Sequence, residues 1–429
     1  MLSFGDRKLS MESYKGVRDF YPEDKALQKR IFKVLREKVE SWGYEEYDAS
    51  PLEPAELYRK KSSQEIVDEQ TYTFTDRGGR EVTLRPEMTP TVARMISYKS
   101  QEIPFPARWY SIPNLFRYEK PQRGRLREHF QLNVDLFGSS GVFADAEIIN
   151  IASDILTSFG AKPDMFVIKI NNRGLLDDLL QKLDIKSAYK QPIFRLLDKK
   201  EKMKEDDFKK AIVELLGEEN AKNFLEMLYY GEALLTMMPE SQSASYLNKV
   251  IDTLRLWGIG NIQFSPTLTR GFDYYTGIVF EVFDTNKENP RSLFGGGRYD
   301  NLTQNFIKTD IAAIGFGMGD VTLKDFLETH GLVPAGASNI DLWLAVTPEI
   351  DMSEIYLLAQ KLRSYGIKVA IDISGKKLSD QLKLLEKRKT KFVIVVGSLE
   401  LSSGNFVLRN VETREEKKVS LEEIIECVK

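Results

Sequence analysis

The sequence is poor in cysteine and histidine. Its 429 residues include one cysteine, Cys427, and two histidines, His129 and His330. A single cysteine excludes an intrachain disulfide and fits a reducing cytoplasm. With so few histidines and cysteines, a histidine-based zinc site or a serine–histidine–aspartate triad is nearly excluded. We therefore expect no metal site from the protein alone, and chemistry that uses carboxylates, arginines and a soluble metal ion.

Long apolar runs and a strong net charge are missing as well. No run is long enough to span a bilayer, and the N-terminal residues lack the apolar stretch of a signal peptide, so we expect a cytoplasmic protein. The net charge of −3 is too small for nucleic-acid binding over most of the surface. Such binding would need local basic patches. The chain is also longer than one hydrophobic core normally supports, which predicts two or more domains.

Two segments place an arginine beside acids and tyrosines on predicted strands. One is Phe116 to Glu119, and the other is Arg270 to Tyr275. After the first segment, residues 130 to 136 alternate between apolar and polar, which predicts a strand with Gln131, Asn133 and Asp135 on one face. An isolated strand of this kind most often has a solvated polar face.

A basic loop lies between these two predicted strands. It carries Lys120, Arg123, Arg125 and Arg127, with Gln122 among them. Arginine forks suit phosphate oxygens and a nucleic-acid backbone. A charge run alone is usually a solvated surface, so both interpretations stay open for the loop taken by itself.

Four segments of the chain resemble the histidyl-tRNA synthetases, a family of class II aminoacyl-tRNA synthetases. Phe116 to Glu119 resembles the class II motif 2. Leu84 to Thr89 resembles the family's Leu-Arg-Pro-Glu-x-Thr stretch, and Arg270 to Tyr275 resembles its Arg-Gly-Leu-Asp-Tyr-Tyr signature. Gly296 to Asp300 matches a fourth segment without change. Four matches in the family's order make chance improbable, and the resemblance covers nearly the whole chain.

The resemblance implies an ATP-dependent ligation of L-histidine to tRNA(His) through histidyl-adenylate, with Mg²⁺ as the cofactor. It also implies roles for four side chains. Arg117 holds the α-phosphate and the reacting carboxylate, Glu119 the adenine side of ATP, and Arg125 the distal phosphates. Arg270 resembles the family's catalytic arginine at the α-phosphate. For a single arginine, a surface salt bridge is the more common role.

By the same resemblance, seven side chains form the histidine pocket: Glu87, Thr89, Gln131, Asp135, Tyr274, Tyr275 and Tyr299. Asp135 stands where glutamate is frequent, so we expect its contact with the α-ammonium group to be relayed through water. Tyr274 is equally well explained as a core aromatic that holds the neighbouring glycines. Weaker candidates for contacts with the tRNA acceptor end are Lys120, Gln122 and Arg123.

The chain departs from the family at the class II motif 3. That motif usually ends Gly-x-Glu-Arg-Leu, but here it is Gly319 to Leu323 with Thr322 in place of the arginine that clamps the γ-phosphate. The gap keeps a second function open: a histidine-sensing regulatory subunit of ATP phosphoribosyltransferase. Such paralogues usually lack the C-terminal domain and degrade the Arg270 segment, whereas this chain keeps both.

The predicted architecture is α+β. Residues 1–330 form a class II catalytic domain, an antiparallel sheet with helices, which contains a helical insertion at about 174–256. A linker follows at 331–338, and alternating strands and helices predict an α/β anticodon-binding domain at 339–429. We also expect a helix from Pro22 to Trp42, a strand from Tyr44 to Ala49, and a hairpin around Arg77–Arg80. The resemblance implies a homodimer whose interface includes Ala49 to Pro54.

Overall fold

The computed structural model describes residues 10–59, 70–200, 203–269, 274–336, 340–348, 350–388 and 390–428. The chain divides into two compact units. The larger comprises residues 1–21 and 28–333, and the smaller comprises residues 22–27 and 334–429. Among the described residues, no helix is long and apolar enough to cross a membrane.

The helices, numbered in chain order, have the following bounds: α1 Pro22–Glu40, α2 Glu56–Arg59, α3 Thr89–Tyr98, α4 Val142–Ser158, α5 Gly174–Lys182, α6 Lys190–Lys199, α7 Glu205–Leu216, α8 Glu218–Tyr229, α9 Ala233–Thr236, α10 Gln242–Leu256, α11 Asp320–Thr329, α12 Met352–Ser364, α13 Leu378–Arg388, α14 Ser398–Ser403 and α15 Leu421–Val428. Short 3₁₀ helices occur at Ser187–Tyr189 and Leu302–Asn305.

The strands have the following bounds: β1 Glu45–Glu46, β2 Leu52–Pro54, β3 Tyr72–Thr75, β4 Glu81–Leu84, β5 Ala107–Ser111, β6 Asn114–Phe116, β7 Glu128–Phe137, β8 Phe166–Asn172, β9 Ile262–Phe264, β10 Ile278–Asp284, β11 Ser292–Arg298, β12 Ala313–Gly319, β13 Leu342–Val346, β14 Val369–Ile371, β15 Phe392–Val396, β16 Asn405–Asn410 and β17 Glu416–Ser420.

A nine-stranded sheet forms the centre of the larger unit. Its order is β1-β5-β7-β12-β11-β10-β8-β9, and β6 pairs separately with β7. The β1–β5 and β8–β9 pairs are parallel, and the other pairs are antiparallel. Helices α4 and α11 contact β7 and β12. The structure therefore confirms the predicted antiparallel sheet with helices.

Helix α1 begins at Pro22, as predicted, and ends at Glu40, two residues before the predicted end at Trp42. Pro22 occupies the first turn, where its missing N–H costs nothing, and Gly43 has a positive φ of 80° just beyond the last turn. The strand predicted after it is much shorter than expected, because only Glu45 and Glu46 pair with β5. The Asp48 carboxylate accepts from the backbone N–H of Ala49, and Pro51 follows without an N–H to donate, so the chain turns away from the sheet.

Strands β7 and β12 place polar residues opposite glycines. In their register Gln131 lies opposite Gly319, Asn133 opposite Gly317 and Asp135 opposite Gly315. A Cβ at Gly317 would lie 2.9 Å from the Gln131 side chain, and one at Gly315 would lie 2.2 Å from Asp135 Oδ1. The polar side chains of β7 occupy the space that side chains on β12 would otherwise fill.

The hairpin follows the sequence prediction, and helices α5 to α10 run from Gly174 to Leu256. Strands β3 and β4 pair antiparallel around the predicted turn, and β2 joins β4 to complete a three-stranded sheet. By contrast, Arg117 and Glu119 lie just beyond the end of β6 instead of on a strand.

The smaller unit contains a five-stranded sheet of order β14-β13-β15-β16-β17. The first three strands are parallel, and β16 and β17 are antiparallel. The predicted strand–helix alternation is confirmed, and so is the capping box, in which Ser420 and Glu423 exchange two hydrogen bonds of 2.7 and 3.3 Å. Strands β16 and β17 were not predicted from the sequence, because their exposed charged residues hide the alternation of apolar residues.

Candidate active site

Two cavities lie side by side in the larger unit. The inner cavity has a volume of about 100 Å³ and the outer one about 240 Å³. Arg117, Gln131 and Gly317 line both, so they mark the junction. Arg117 is held there by a 2.8 Å hydrogen bond from its Nε to the carbonyl oxygen of Pro86.

The inner cavity contains all seven side chains that the sequence analysis grouped as a pocket. It is lined by Glu87, Thr89, Gln131, Asn133, Asp135, Tyr274, Tyr275 and Tyr299, together with Arg117 and residues of β11 and β12. Glu87 is 3% exposed and accepts a 3.1 Å hydrogen bond from the Tyr274 hydroxyl. The pocket is therefore polar and acidic at its wall.

Asp135 lines this cavity and is 4% exposed. The Tyr299 hydroxyl donates to its Oδ1, while Oδ2 has no hydrogen-bond partner among the described residues. Burial raises the pKa of Asp135 to about 7, although the Tyr299 hydrogen bond opposes the rise. A buried carboxylate with one oxygen lacking a partner suits a ligand that brings an N–H donor.

The three tyrosines belong to the core and to the cavity at once. Tyr274, Tyr275 and Tyr299 are nearly buried within one hydrophobic cluster. A Cβ at Gly297 would lie 2.8 Å from the Tyr275 ring, so this glycine leaves room for the tyrosine. Tyr274 is therefore both a core aromatic residue and a lining residue of the inner cavity.

The outer cavity combines cations with carboxylates. Its charged lining residues among those described are Arg117, Arg125, Glu119 and Glu281. Glu119 and Arg125 form an ion pair of 3.2 Å. Arg125 is half exposed, so the pair contributes little stability and can be exchanged for a ligand.

His129 also lines the outer cavity. Burial, followed by the nearby Arg117 and Arg18, lowers the pKa of His129 to about 3. The imidazole is therefore neutral at physiological pH. It presents an uncharged flat ring to the cavity.

The residues of the outer cavity fit a magnesium ion bound with phosphates. Mg²⁺ is usually held by one or two carboxylates together with substrate phosphate oxygens. Glu281 and Glu119 supply carboxylates here, and no cluster of three or more potential metal ligands occurs among the described residues. These two carboxylates suit a magnesium ion that binds together with the phosphates of a substrate.

The sequence matches two family models. The model "Histidyl-tRNA synthetase" matches residues 16–321, and "Anticodon binding domain" matches residues 347–429. The chain belongs to the histidyl-tRNA synthetase family. This confirms the resemblance found in the motifs and the predicted fold class.

Relatives and solved structures agree with this assignment. The chain is 40% identical to a histidine–tRNA ligase of Leptospira biflexa over 99% of this chain and 98% of the relative. It is 37% identical to one of Thermoplasma volcanium, over 97% of this chain and 98% of the relative. The structure of the S. aureus histidyl-tRNA synthetase has a TM-score of 0.72, 26% sequence identity, and covers 98% of this chain and 100% of that one.

Not every predicted synthetase residue lies in a cavity. Arg270 falls outside the described residues, so its role stays a prediction. Lys120, Gln122 and Arg123 are exposed and line neither cavity. Thr322, which replaces the family's motif 3 arginine, lines the outer cavity and donates a 2.7 Å hydrogen bond to the carbonyl oxygen of Leu293.

Three cavity residues were not assigned to this synthetase site from the sequence. His129 and Asn133 lie on the same alternating face of β7 as Gln131 and Asp135, so the period of two could have found them. Glu281 interrupts the apolar strand β10, and an acid at such a position was also a usable signal.

The family segment Gly296 to Asp300 anchors the inner cavity. Arg298 is 6% exposed and donates from Nε to Asp145 at 2.8 Å and from Nη1 to Asp300 at 2.9 Å. Tyr246 of the insertion donates to the other oxygen of Asp145 at 2.7 Å. These bonds hold the residues on both sides of Tyr299, which fixes its hydroxyl at Asp135.

Proposed function

We propose that this chain ligates L-histidine to tRNA(His) in two steps. The histidine carboxylate attacks the α-phosphate of ATP, which gives histidyl-adenylate and pyrophosphate. The terminal ribose hydroxyl of the tRNA then takes the histidyl group and releases AMP. The observation that carries the proposal is the pair of adjoining cavities that share Arg117, because one cavity suits an amino acid and the other a nucleotide.

The histidine carboxylate lies at the junction, next to Arg117. The reaction joins it to the α-phosphate, so it must reach the place where the cavities meet. Gln131 lines both cavities, whereas Asp135 lines only the inner one and lies four residues, or roughly 13 Å, farther along the strand. This separation favours contact of Asp135 with the imidazole N–H, instead of the α-ammonium contact expected from the sequence.

Glu87 and Thr89 then receive the α-ammonium group. Glu87 is a buried carboxylate, and it follows Pro86, whose carbonyl oxygen accepts from Arg117. It is therefore near the carboxylate end of the substrate. Gln131, Tyr274, Tyr275 and Tyr299 complete the pocket. An amino acid without an imidazole N–H would leave the buried Oδ2 of Asp135 without a hydrogen bond, which supplies strong discrimination.

In the outer cavity, Arg117 neutralises the α-phosphate, Glu119 contacts the adenine side and Arg125 contacts the distal phosphates. Arg270 adds a second cation at the α-phosphate, as in the family. Fixed cations stabilise the charge that builds on the phosphorus and need no reorganisation during the reaction. Glu281, together with the phosphates, would hold Mg²⁺, which would supply further charge neutralisation. The neutral ring of His129 lies against the nucleotide without competing for its charge.

The tRNA contacts both parts of the chain. The anticodon-binding family model at residues 347–429 supports a role of the C-terminal unit in holding the anticodon. Lys120, Gln122 and Arg123 remain the candidates for the acceptor end, and their exposure suits that role. We also propose a homodimer, and a cytoplasmic location as expected from the composition.

The regulatory-subunit alternative is less favoured. Arg117 and Arg125, both assigned to ATP, line the outer cavity, and a histidine sensor does not need these cations for binding histidine. The C-terminal anticodon-binding match is also absent from the usual form of such paralogues. No observation of the structure favours the sensor over the ligase.

Charging of tRNA(His) with labelled histidine tests the proposal. The wild-type protein with MgATP should form histidyl-tRNA, and Arg117→Ala should lower the rate by at least about a hundredfold, because it removes a cation from the transition state. Arg77→Ala, in the turn between β3 and β4, is the control and should charge normally, because Arg77 is exposed and lines neither cavity. Equal activity of both variants would contradict the assigned role of Arg117.

A further inference from the structure

The outer cavity has no surplus of positive charge for a triphosphate. Its two described cations, Arg117 and Arg125, are matched by two carboxylates, Glu119 and Glu281. ATP carries about four negative charges, and Mg²⁺ neutralises only two of them. Thr322 takes the place of the motif 3 arginine and contributes no charge. A further cation is needed near the distal phosphates.

Most cations around this end of the cavity already have acidic neighbours. Burial raises the pKa of Asp325, and the charge of the nearby Arg123 opposes that rise. The ion pairs are Arg18 with Asp320 at 2.9 Å, Arg125 with Glu119 at 3.2 Å, and Lys324 with Glu328 at 3.5 Å. A cation with an acidic neighbour exchanges that contact when it binds phosphate, which reduces its net gain.

Arg291 differs from these cations. It immediately precedes Ser292, which lines the outer cavity with Leu293 and Phe294. Its Nη2 donates a 2.9 Å hydrogen bond to the side-chain oxygen of Gln122, and it forms no ion pair with any described residue. It is exposed, so its four remaining N–H donors can reach a ligand.

Arg291 is connected to two sides of the outer cavity, through the chain to the start of β11 and through a hydrogen bond to the turn that contains Gln122 and Arg125. Two residues along β11, the carbonyl oxygen of Leu293 accepts from Thr322, at the position of the missing arginine. On the other side, Gln122 and Arg125 exchange backbone hydrogen bonds of 3.0 and 2.9 Å, so the amide that holds Arg291 belongs to the same turn as a cavity-lining arginine.

We propose that Arg291 is a phosphate-binding residue that supplies the cation absent from motif 3 and contacts the terminal phosphate of ATP. Gln122 orients its guanidinium from the basic loop. The role rests on the proposed ligase function, because it concerns the same nucleotide cavity. It also gives Gln122 a part in ATP binding, beside the tRNA contact expected from the sequence.

Nucleotide binding by the full-length protein, measured by calorimetry, tests this role. Arg291→Gln should weaken binding of MgATP by at least about tenfold and leave binding of AMP unchanged, because AMP lacks the terminal phosphate. Lys287→Gln is the matched control. It removes one positive charge from an exposed residue of the same loop, and it should change neither affinity. In histidine-dependent ATP/pyrophosphate exchange, Arg291→Gln should raise the KM for ATP, and Arg291→Lys should recover part of the loss.

Three results would overturn the role of Arg291: unchanged MgATP affinity in Arg291→Gln, equal weakening of MgATP and AMP, or the same weakening in Lys287→Gln. Unchanged affinity would show that Arg291 does not contact the terminal phosphate. Equal weakening of MgATP and AMP would indicate a structural effect of the substitution. The same weakening in Lys287→Gln would indicate a general effect of surface charge. Failure of the proposed ligase function would look different. The wild-type protein itself would then show no exchange with histidine.

Discussion

The buried carboxyl group of Asp135 lowers the stability of the unliganded protein at neutral pH. Its carboxyl group is buried, and only Tyr299 donates to it among the described residues. Burial raises its pKa from 3.8 to about 7. The protonated form is therefore favoured in the folded state, so its contribution to stability is greatest below about pH 4 and is lost as the pH rises to about 7. Above about pH 7 the unliganded protein contains a buried negative charge, which a ligand with an N–H donor would stabilise.

The stability of Asp135→Asn tests whether the pKa of Asp135 is raised in the folded protein. Relative to the variant, the wild-type protein should lose about 4 kcal/mol of unfolding free energy between pH 4 and pH 8, since one pKa unit corresponds to about 1.4 kcal/mol. Thermal or urea unfolding of both proteins across this range measures the difference. Histidine should stabilise the wild type and leave the variant unchanged. A difference that does not vary with pH would show that Asp135 is ionised without penalty.

At the scale of elements, the sequence predicted periodic structure better than irregular structure. Helix α1, the hairpin of β3 and β4, the insertion and the polar face of β7 were predicted from periodicity and turn residues. The pairing of β7 with β12 was not, because no local signal states which strand lies opposite Gln131 or Asp135. The family resemblance assembled Glu87, Gln131 and Tyr274 into a pocket, which spacing alone could not do across so long a separation in sequence.

The glycines of β12 offer a test of that pairing. Gly317→Ala would place a Cβ 2.9 Å from the Gln131 amide, at the junction of the cavities, whereas Gly319→Ala on the same strand would meet nothing closer than Thr322 Oγ1 at 3.6 Å. We expect the KM for histidine to rise at least about tenfold in Gly317→Ala and less than about twofold in Gly319→Ala, with both proteins folded. Steady-state exchange kinetics measure it. Equal KM values would place Gln131 away from the substrate.

For the whole molecule, the interface of the proposed dimer includes a region of exposed apolar side chains. Leu52 is 42% exposed and Phe74 is 50% exposed on the three-stranded sheet, and Leu52 lies in the segment Ala49 to Pro54, which the family resemblance predicts at the dimer interface. Large apolar side chains at a surface favour association. The division into two units also explains why the anticodon-binding model and the synthetase model match separate parts of the chain.

Sedimentation equilibrium at micromolar concentration should give twice the chain mass of 49.2 kDa. Phe74→Glu should shift the protein towards the monomer, because it places a charge on the apolar surface. Leu256→Glu, at an 84% exposed position at the end of α10, should remain dimeric. A monomeric wild-type protein with full activity would refute the dimer.

The adjoining cavities are proposed to activate histidine with ATP. Histidine-dependent ATP/pyrophosphate exchange with Mg²⁺, in the absence of tRNA and beside the Arg270→Ala variant, tests this proposal most directly. We expect exchange that requires histidine, is not supported by other amino acids, and is lost in the variant. A wild-type protein that binds histidine without catalysing exchange would contradict the ligase and favour a histidine sensor.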